Sequence, residues 1–237
     1  MSIQFILFDL DGTLLPMDQD IFIKAYFGRL AAKLAPHGYD SEKLIDAIWG
    51  GTAAMVKNDG SLRNEQVFWN HFVTVFGADA RKDEPIFEEF YRTDFQQVRQ
   101  SCGFDARSAA TITALKEMGY TLVLATNPIF PAIATESRIA WAGLNREDFA
   151  FYTTYENSRH CKPNPDYYLD ILAQLGAEPS ACLMVGNDVT EDMVARQLGM
   201  QVFLLTDCLI NKRNEDISLY PHGSFDDLMA FVKQLEQ

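Results

Sequence analysis

The chain has 237 residues, long for one compact unit and short for two full ones, so a core carrying an inserted subdomain fits its length. Hydrophobic residues make up 48%, enough to fill an interior, and the net charge of −13 argues against a nucleic-acid partner, whose phosphates demand clustered Lys and Arg. A small anionic ligand is not excluded, because a metal and a few local cations can invert the field inside a site.

The first element is "IQFILFDL" (Ile3–Leu10), an apolar run read as a buried central strand. Ile3 to Phe8 is too short for a signal peptide, lacks a basic segment before it and leads straight into Asp9. Residues of about 16 to 98 then carry helical spacing: "IFIKAYFGRLAAKLA", "SEKLIDAIW", "NEQVFWNHFVTVFG" and "PIFEEFYRTDFQQVRQ" each set aromatics on one face and charges on the other. They predict an all-helical insertion, tethered beside the first strand and placed to close over its C-terminal end. Between two of its helices, "WGGTAAMVKNDGSLR" (Trp49–Arg63) reads as a loop in which Gly50-Gly51 permits close backbone approach and Lys57 and Arg63 offer cations to a ligand.

After about residue 100 strands and helices alternate. "YTLVLAT", "FAFYTTY", "ACLMVGN" and "MQVFLLT" are short apolar runs of the kind buried on both faces of a parallel sheet. The helices between them stop at Gly119, Gly143, Gly176 and Gly199, the last formed by "DMVARQLG", and Asn164-Pro165-Asp166 supplies a cap, a first-turn proline and an early acid. The fold class expected is α/β, a doubly wound parallel sheet built from residues 1–15 and 99–237, with residues 16–98 as a helical cap. No run approaches the length of a membrane span, so no membrane partner is expected. Cys102, Cys161, Cys182 and Cys208 lack paired spacing and read as reduced thiols of a cytoplasmic protein; His37, His71, His160 and His222 form no metal-ligand pattern.

In such a sheet ligands bind beyond the C-terminal strand ends. Asp9 and Asp11, Thr126 and Asn127, and Asn187 and Asp188 fall there, with Lys162 in the loop after "FAFYTTY" and Asp192 one turn into the helix after Asp188. Singly each has an ordinary reading: Asp188 as a helix cap, Thr126-Asn127-Pro128 as a helix start, Lys162 as a solvated cation. Together, four acids, a hydroxyl, two amides and an ammonium suit phosphoryl transfer through an aspartyl-phosphate. Mg²⁺ takes one or two carboxylates with water and phosphate, and a second carboxyl can protonate a leaving oxygen.

Asp9-Leu10-Asp11-Gly12-Thr13, Thr126 after an apolar strand, Lys162-Pro163, and Gly186-Asn187-Asp188 with Asp192 resemble, in order, the four motifs of the haloacid dehalogenase-like hydrolase superfamily. The helical insertion resembles that family's C1 cap type. The resemblance implies a Rossmann-like core, Asp9 as nucleophile and Mg²⁺ ligand, and Asp11 as general acid/base and ligand through its backbone carbonyl. It further implies that Thr126, Asn127 and Lys162 hold phosphate, and that Asp188 completes the Mg²⁺ site with Asp192 close behind. One departure is Asn187 between Gly186 and Asp188; an anionic ligand suits Mg²⁺ better, so Asp188 is favoured, with Asn187 the alternative.

Asp11 counts against the dehalogenase and phosphonatase branches, which lack that second acid. Hydrolysis of a small phosphorylated metabolite is the leading expectation, with a sugar-phosphate mutase of the same superfamily as its nearest rival and a non-catalytic Mg²⁺/phosphate-binding regulatory module as the alternative from another class. Nothing in the sequence points to an obligate protein partner.

Overall fold

The computed structural model describes residues 2–235; residues 1, 236 and 237 of the expected core lie outside the described residues. Six parallel strands form one sheet: β1 (Phe5–Phe8), β2 (Thr121–Leu124), β3 (Phe151–Tyr152), β4 (Cys182–Gly186), β5 (Gln201–Leu205) and β6 (His222–Gly223), in the order β3-β2-β1-β4-β5-β6. Ile6, Leu7 and Phe8 of β1 and Cys182 to Val185 of β4 have no exposed surface, which is why both read as unbroken apolar runs. Phe8 pairs in register with Leu124 on one side and Val185 on the other. The strand order reverses at β1, and the crevice expected of a doubly wound sheet opens at its C-terminal end.

Helices α1 (Gln19–Leu34), α2 (Ser41–Val56), α3 (Asn64–Phe76) and α4 (Glu84–Arg92) follow β1 as an uninterrupted helical insertion, and α5 (Ala106–Glu117), α6 (Ala132–Trp141), α7 (Pro165–Leu175) and α8 (Phe225–Leu235) flank the strands. Gly119, Gly143, Gly176 and Gly199 all have positive φ, as their expected stop roles require. Asn164 caps α7 by accepting from the Asp166 N–H, and Pro165 opens it.

Four local expectations are corrected. "SEKLIDAIW" does not end at Trp49: α2 runs on through Gly50-Gly51 to Val56. A Cβ on Gly51 would lie 2.6 Å from Phe68 of α3, so the glycines let two helices approach, and that packing outweighs a helix penalty of about 1 kcal/mol per glycine. "PIFEEFYRTDFQQVRQ" is two pieces, α4 and a 3₁₀ segment Asp94–Ser101, separated at Thr93, whose hydroxyl bonds back to the Glu89 carbonyl at 2.7 Å. "DMVARQLG" forms a 3₁₀ turn over Met193–Leu198 that begins only after Asp192, whose side chain is held by the preceding loop. "FAFYTTY" pairs only at Phe151–Tyr152, and the two-residue β6 carries no periodic signal of its own.

The insertion is packed by rings. Phe72 meets Phe87 edge-on at 5.5 Å, Tyr26 meets Phe90 at 5.8 Å, and Phe76 packs on Tyr39 at 4.9 Å. Each such pair adds about 0.5–1.5 kcal/mol beyond area burial. Phe22 and Phe72 of the insertion belong to the same buried cluster as Phe8 and Leu124 of the sheet. At the junction, Asn64 opens α3 fully buried, with its Nδ2 within 3.2 Å of the Pro128 carbonyl, 3.4 Å of the His160 carbonyl and 3.3 Å of Cys161 Sγ. Among the described residues no helix is long and apolar enough to cross a membrane, and all four cysteines are free.

Candidate active site

Asp9 directly follows β1, and its N–H continues the ladder by donating to the Val185 carbonyl at 2.9 Å. The residue is 7% exposed. One carboxylate oxygen accepts from Lys162 Nζ at 2.8 Å, and the other lies 3.1 Å from the Thr13 hydroxyl, which is equally close to Asn187 Oδ1. A hydroxyl donates to one acceptor at a time, so Thr13 orients the Asp9 side chain or the Asn187 amide and not the loop backbone. Gly12 between them has φ +82°, and a Cβ there would collide with the Asn187 amide. The turn after the strand needs glycine twice over.

Lys162 is 1% exposed and spans two carboxylates, reaching Asp192 Oδ1 at 2.6 Å as well as Asp9. Burial alone would pull its ammonium down, but Asp192 and Asp9 outweigh that and hold it well above the usual lysine range. Asp192 is pushed up to about 6 by burial, against the pull of Lys162. Its second oxygen accepts the Asp188 N–H at 2.9 Å and lies where a side chain on Gly186 would sit, so Gly186 makes room for the carboxylate. Asp188 accepts from the N–H groups of Thr190 and Glu191 through one oxygen, at 2.7 and 2.9 Å, as a turn cap does.

Asp11 is held by a group the sequence reading missed. Arg138, in the middle of α6, has no exposed surface and pairs through Nη1 with Asp11 Oδ2. Its Nε donates to the Ala134 carbonyl at 3.2 Å and its guanidinium lies 4.4 Å from the centre of the Phe130 ring. Asp11's other oxygen is buried without a hydrogen-bond partner. Burial raises the Asp11 carboxyl, Arg138 opposes the rise, and Asp9 adds to it. A sequence signal existed: Arg138 falls at helical spacing among Ala134, Ile139 and Trp141, a single charge on a buried face.

Thr126 and Asn127 follow β2. Thr126 is 2% exposed, and its carbonyl is pinned by the hydroxyls of Thr153 and Tyr167 at 2.6 and 2.8 Å. Asn127 gives its amide N–H to Glu191 at 3.1 Å, and its Oδ1 is buried without a partner. Glu191, also missed, is pushed up to about 7 by burial; nothing in "DVTEDM" distinguishes it from an ordinary first-turn acid. Asn187 has a neighbour at each end of its amide, with Oδ1 3.1 Å from the Thr13 hydroxyl and Nδ2 donating to the Cys208 carbonyl at 2.6 Å.

Asp9, Asp11, Thr126, Asn127, Asn187, Asp188, Glu191 and Asp192 line the floor of a cavity of about 350 Å³ whose upper wall is the helical insertion. Lys162 lies beneath the floor. From the Trp49–Arg63 stretch, Trp49, Thr52 and Val56 reach the cavity. Lys57 and Arg63 are not among its lining; Arg63 donates to the Glu156 carbonyl at 2.7 Å.

No three His, Cys, Asp or Glu side chains among the described residues converge closely enough to cage a metal by themselves. The donor set still fits Mg²⁺, which needs only one or two carboxylates beside water and phosphate. Among the described residues, Asp9, Asp11, Asp188, Glu191 and Asp192 face only Lys162, Arg138 and Lys212 as cations, leaving negative charge for a divalent ion to neutralise, and the orphaned Asp11 oxygen is a hard donor.

A family model described as haloacid dehalogenase-like hydrolase matches residues 3–199. The chain is 28% identical over 237 residues to the phosphoglycolate phosphatase of Agrobacterium fabrum, covering 97% of this chain and 91% of that protein. It is 26% identical over 206 residues to the N-acetylmuramic acid 6-phosphate phosphatase of Pseudomonas aeruginosa, covering 84% and 80%. Its fold is shared, at a TM-score of 0.56 and 16% identity over 98% of this chain and 99% of the other, with the HAD-hydrolase YfnB of Bacillus subtilis, solved bound to magnesium.

Proposed function

We propose, since the chain belongs to the haloacid dehalogenase-like hydrolases, that it hydrolyses a small phosphomonoester through an aspartyl-phosphate on Asp9. The observation that carries this reading is the Asp9 carboxylate at a strand end, buried, gripped by Lys162 and open to the cavity beside Asp11. Asp9, Asp188 and the backbone carbonyl of Asp11 would hold Mg²⁺, which when bound neutralises phosphate charge. A carboxylate oxygen of Asp9 bonds to phosphorus as the bond from phosphorus to the alcohol oxygen breaks. Asp11 gives that oxygen its proton, and burial, which favours the protonated carboxyl, suits the role. Water then attacks phosphorus, Asp11 takes its proton, and phosphate leaves with Asp9 regenerated. Thr126 and Asn127 steady the phosphoryl oxygens, and Lys162 adds its positive charge from beneath the floor. Residues 16–98 act as the lid that excludes water from this step, and the free thiols suit a reducing cytoplasm.

Mass spectrometry of a reaction with phenyl phosphate, quenched by acid, tests the assignment. Phosphate is expected on Asp9 and never on Asp11, with free phosphate as product, EDTA abolishing turnover and Mg²⁺ restoring it. Asp9→Asn should turn over nothing, because an amide cannot form the acyl-phosphate. Asp11→Asn should slow alkyl esters far more than phenyl phosphate, whose leaving group barely needs a proton. Phosphate on Asp11, or turnover by Asp9→Asn, overturns the mechanism.

A further inference from the structure

We infer that the cavity above the carboxylates takes an apolar leaving group, an alkyl or aryl alcohol in preference to a carboxylate-bearing or sugar alcohol. The inference rests on the phosphatase reading for its reaction, and on the walls of the cavity for its substrate class. Phe22, Phe27, Ile48, Trp49, Phe68 and Phe87 are among the large apolar side chains of the upper wall, which is continuous with the floor that holds Asp9 and Asp188. The only cation among the described lining residues is Lys212, and it belongs to the core side. The hydroxyls of Tyr26 and Tyr91 are bonded to each other at 2.9 Å, and beyond them the lining side chains of the insertion contribute only Gln19, Thr52 and the Trp49 and Trp69 indoles as polar groups.

A carboxylate carried into this space would lose its water and find no cation on the upper wall. Sugar hydroxyls would likewise outnumber the donors and acceptors left to meet them. An alkyl or aryl group gains instead by leaving water, and the cavity's size lies at the lower end of small-molecule sites. The floor and the wall therefore divide the ester, phosphate below and hydrocarbon above.

The test is a series of n-alkyl phosphates from ethyl to octyl, with phosphoglycolate and glucose 6-phosphate beside them. Each methylene should raise kcat/KM by about fourfold until the cavity is full. Phosphoglycolate and glucose 6-phosphate should fall at least about 100-fold below the hexyl ester. Trp49 and Trp69 line the cavity, so titrating the metal-free enzyme with 1-hexanol should change tryptophan fluorescence saturably without any chemistry. Val56 is 39% exposed at the end of α2, so Val56→Arg should fold normally, weaken the hexyl ester at least about tenfold and favour phosphoglycolate. A flat alkyl series with phosphoglycolate or a sugar phosphate preferred overturns the inference and leaves the phosphatase reading standing. Saturable hexanol binding with no ester hydrolysed supports the cavity's ligand class and overturns the phosphatase reading.

Discussion

Around the sheet the packing side chains are largely aliphatic, and several of the polar groups buried with them carry charge: Asp9, Lys162, Arg138 and Asp192. In the helical insertion the packing side chains are largely aromatic, and the buried polar residues, Asn58 and Asn64, are neutral amides. The two regions handle burial differently. A charge in the core is tolerated because backbone register brings its partner to the same strand edge, so Lys162 meets Asp9 and Asp192 at 2.8 and 2.6 Å. The insertion places no charge in its interior and fixes shape through ring packing and close helix approach. Chemistry is thus fixed where geometry is set by the sheet, and shape is set where rings can be exchanged without disturbing that geometry.

The largest break in this contrast comes from Lys162→Ala. It strands two buried carboxylates, so turnover should fall by several orders of magnitude and the metal-free protein should lose about 3–5 kcal/mol in urea unfolding. Adding Asp192→Asn should recover part of the stability and none of the activity. A loss of stability on the scale of a surface substitution would show that the core's charges are not coupled as described.

On the insertion side, Gly51→Val places a branched side chain against Phe68 and should cost about 1–3 kcal/mol by thermal unfolding. Because Lys162 and Asp9 are untouched, the variant's kcat with phenyl phosphate at saturating concentration should stay within a few-fold of the parent. A kcat collapse matching that of Lys162→Ala would erase the division between the regions.

The smallest effect concerns pH. Burial holds the Glu191 carboxyl near 7 in the folded chain against 4.5 when solvated. The native state therefore keeps a proton that the unfolded chain has released. The stabilisation is complete below pH 4.5 and is lost as pH rises through about 7. In chelator, the wild-type Tm should fall more steeply between pH 5 and 8 than that of Glu191→Gln, which keeps an acceptor for Asn127. Parallel curves would remove Glu191 from the core's coupled charges.

Strand ends are legible in a sequence, and so were the groups mounted on them. Asp9, Thr126 and Asp188 follow apolar runs directly, and in-register parallel pairing brings such positions to one edge. What escaped depends on tertiary neighbours. Arg138 is a charge on a buried helix face, and what lets it stay there is a partner, Asp11, far away in sequence; Gly50-Gly51 looks like a loop unless Phe68 and His71 are known to lie against it. The turn at 188–192 was read as helix because spacing cannot reveal that Asp192 is already committed to Lys162 and the Asp188 N–H.

Asn64 carries a mechanical consequence. Its amide fastens the first turn of α3 to the carbonyls of Pro128 and His160 and to the sulfur of Cys161, and Pro128 and Cys161 directly adjoin Asn127 and Lys162. The bundle is moored at the two loops that carry the phosphate-holding groups of the proposed mechanism. Losing that one amide would loosen both loops together, beside Asn127 on one side and beside the ammonium that grips Asp9 on the other.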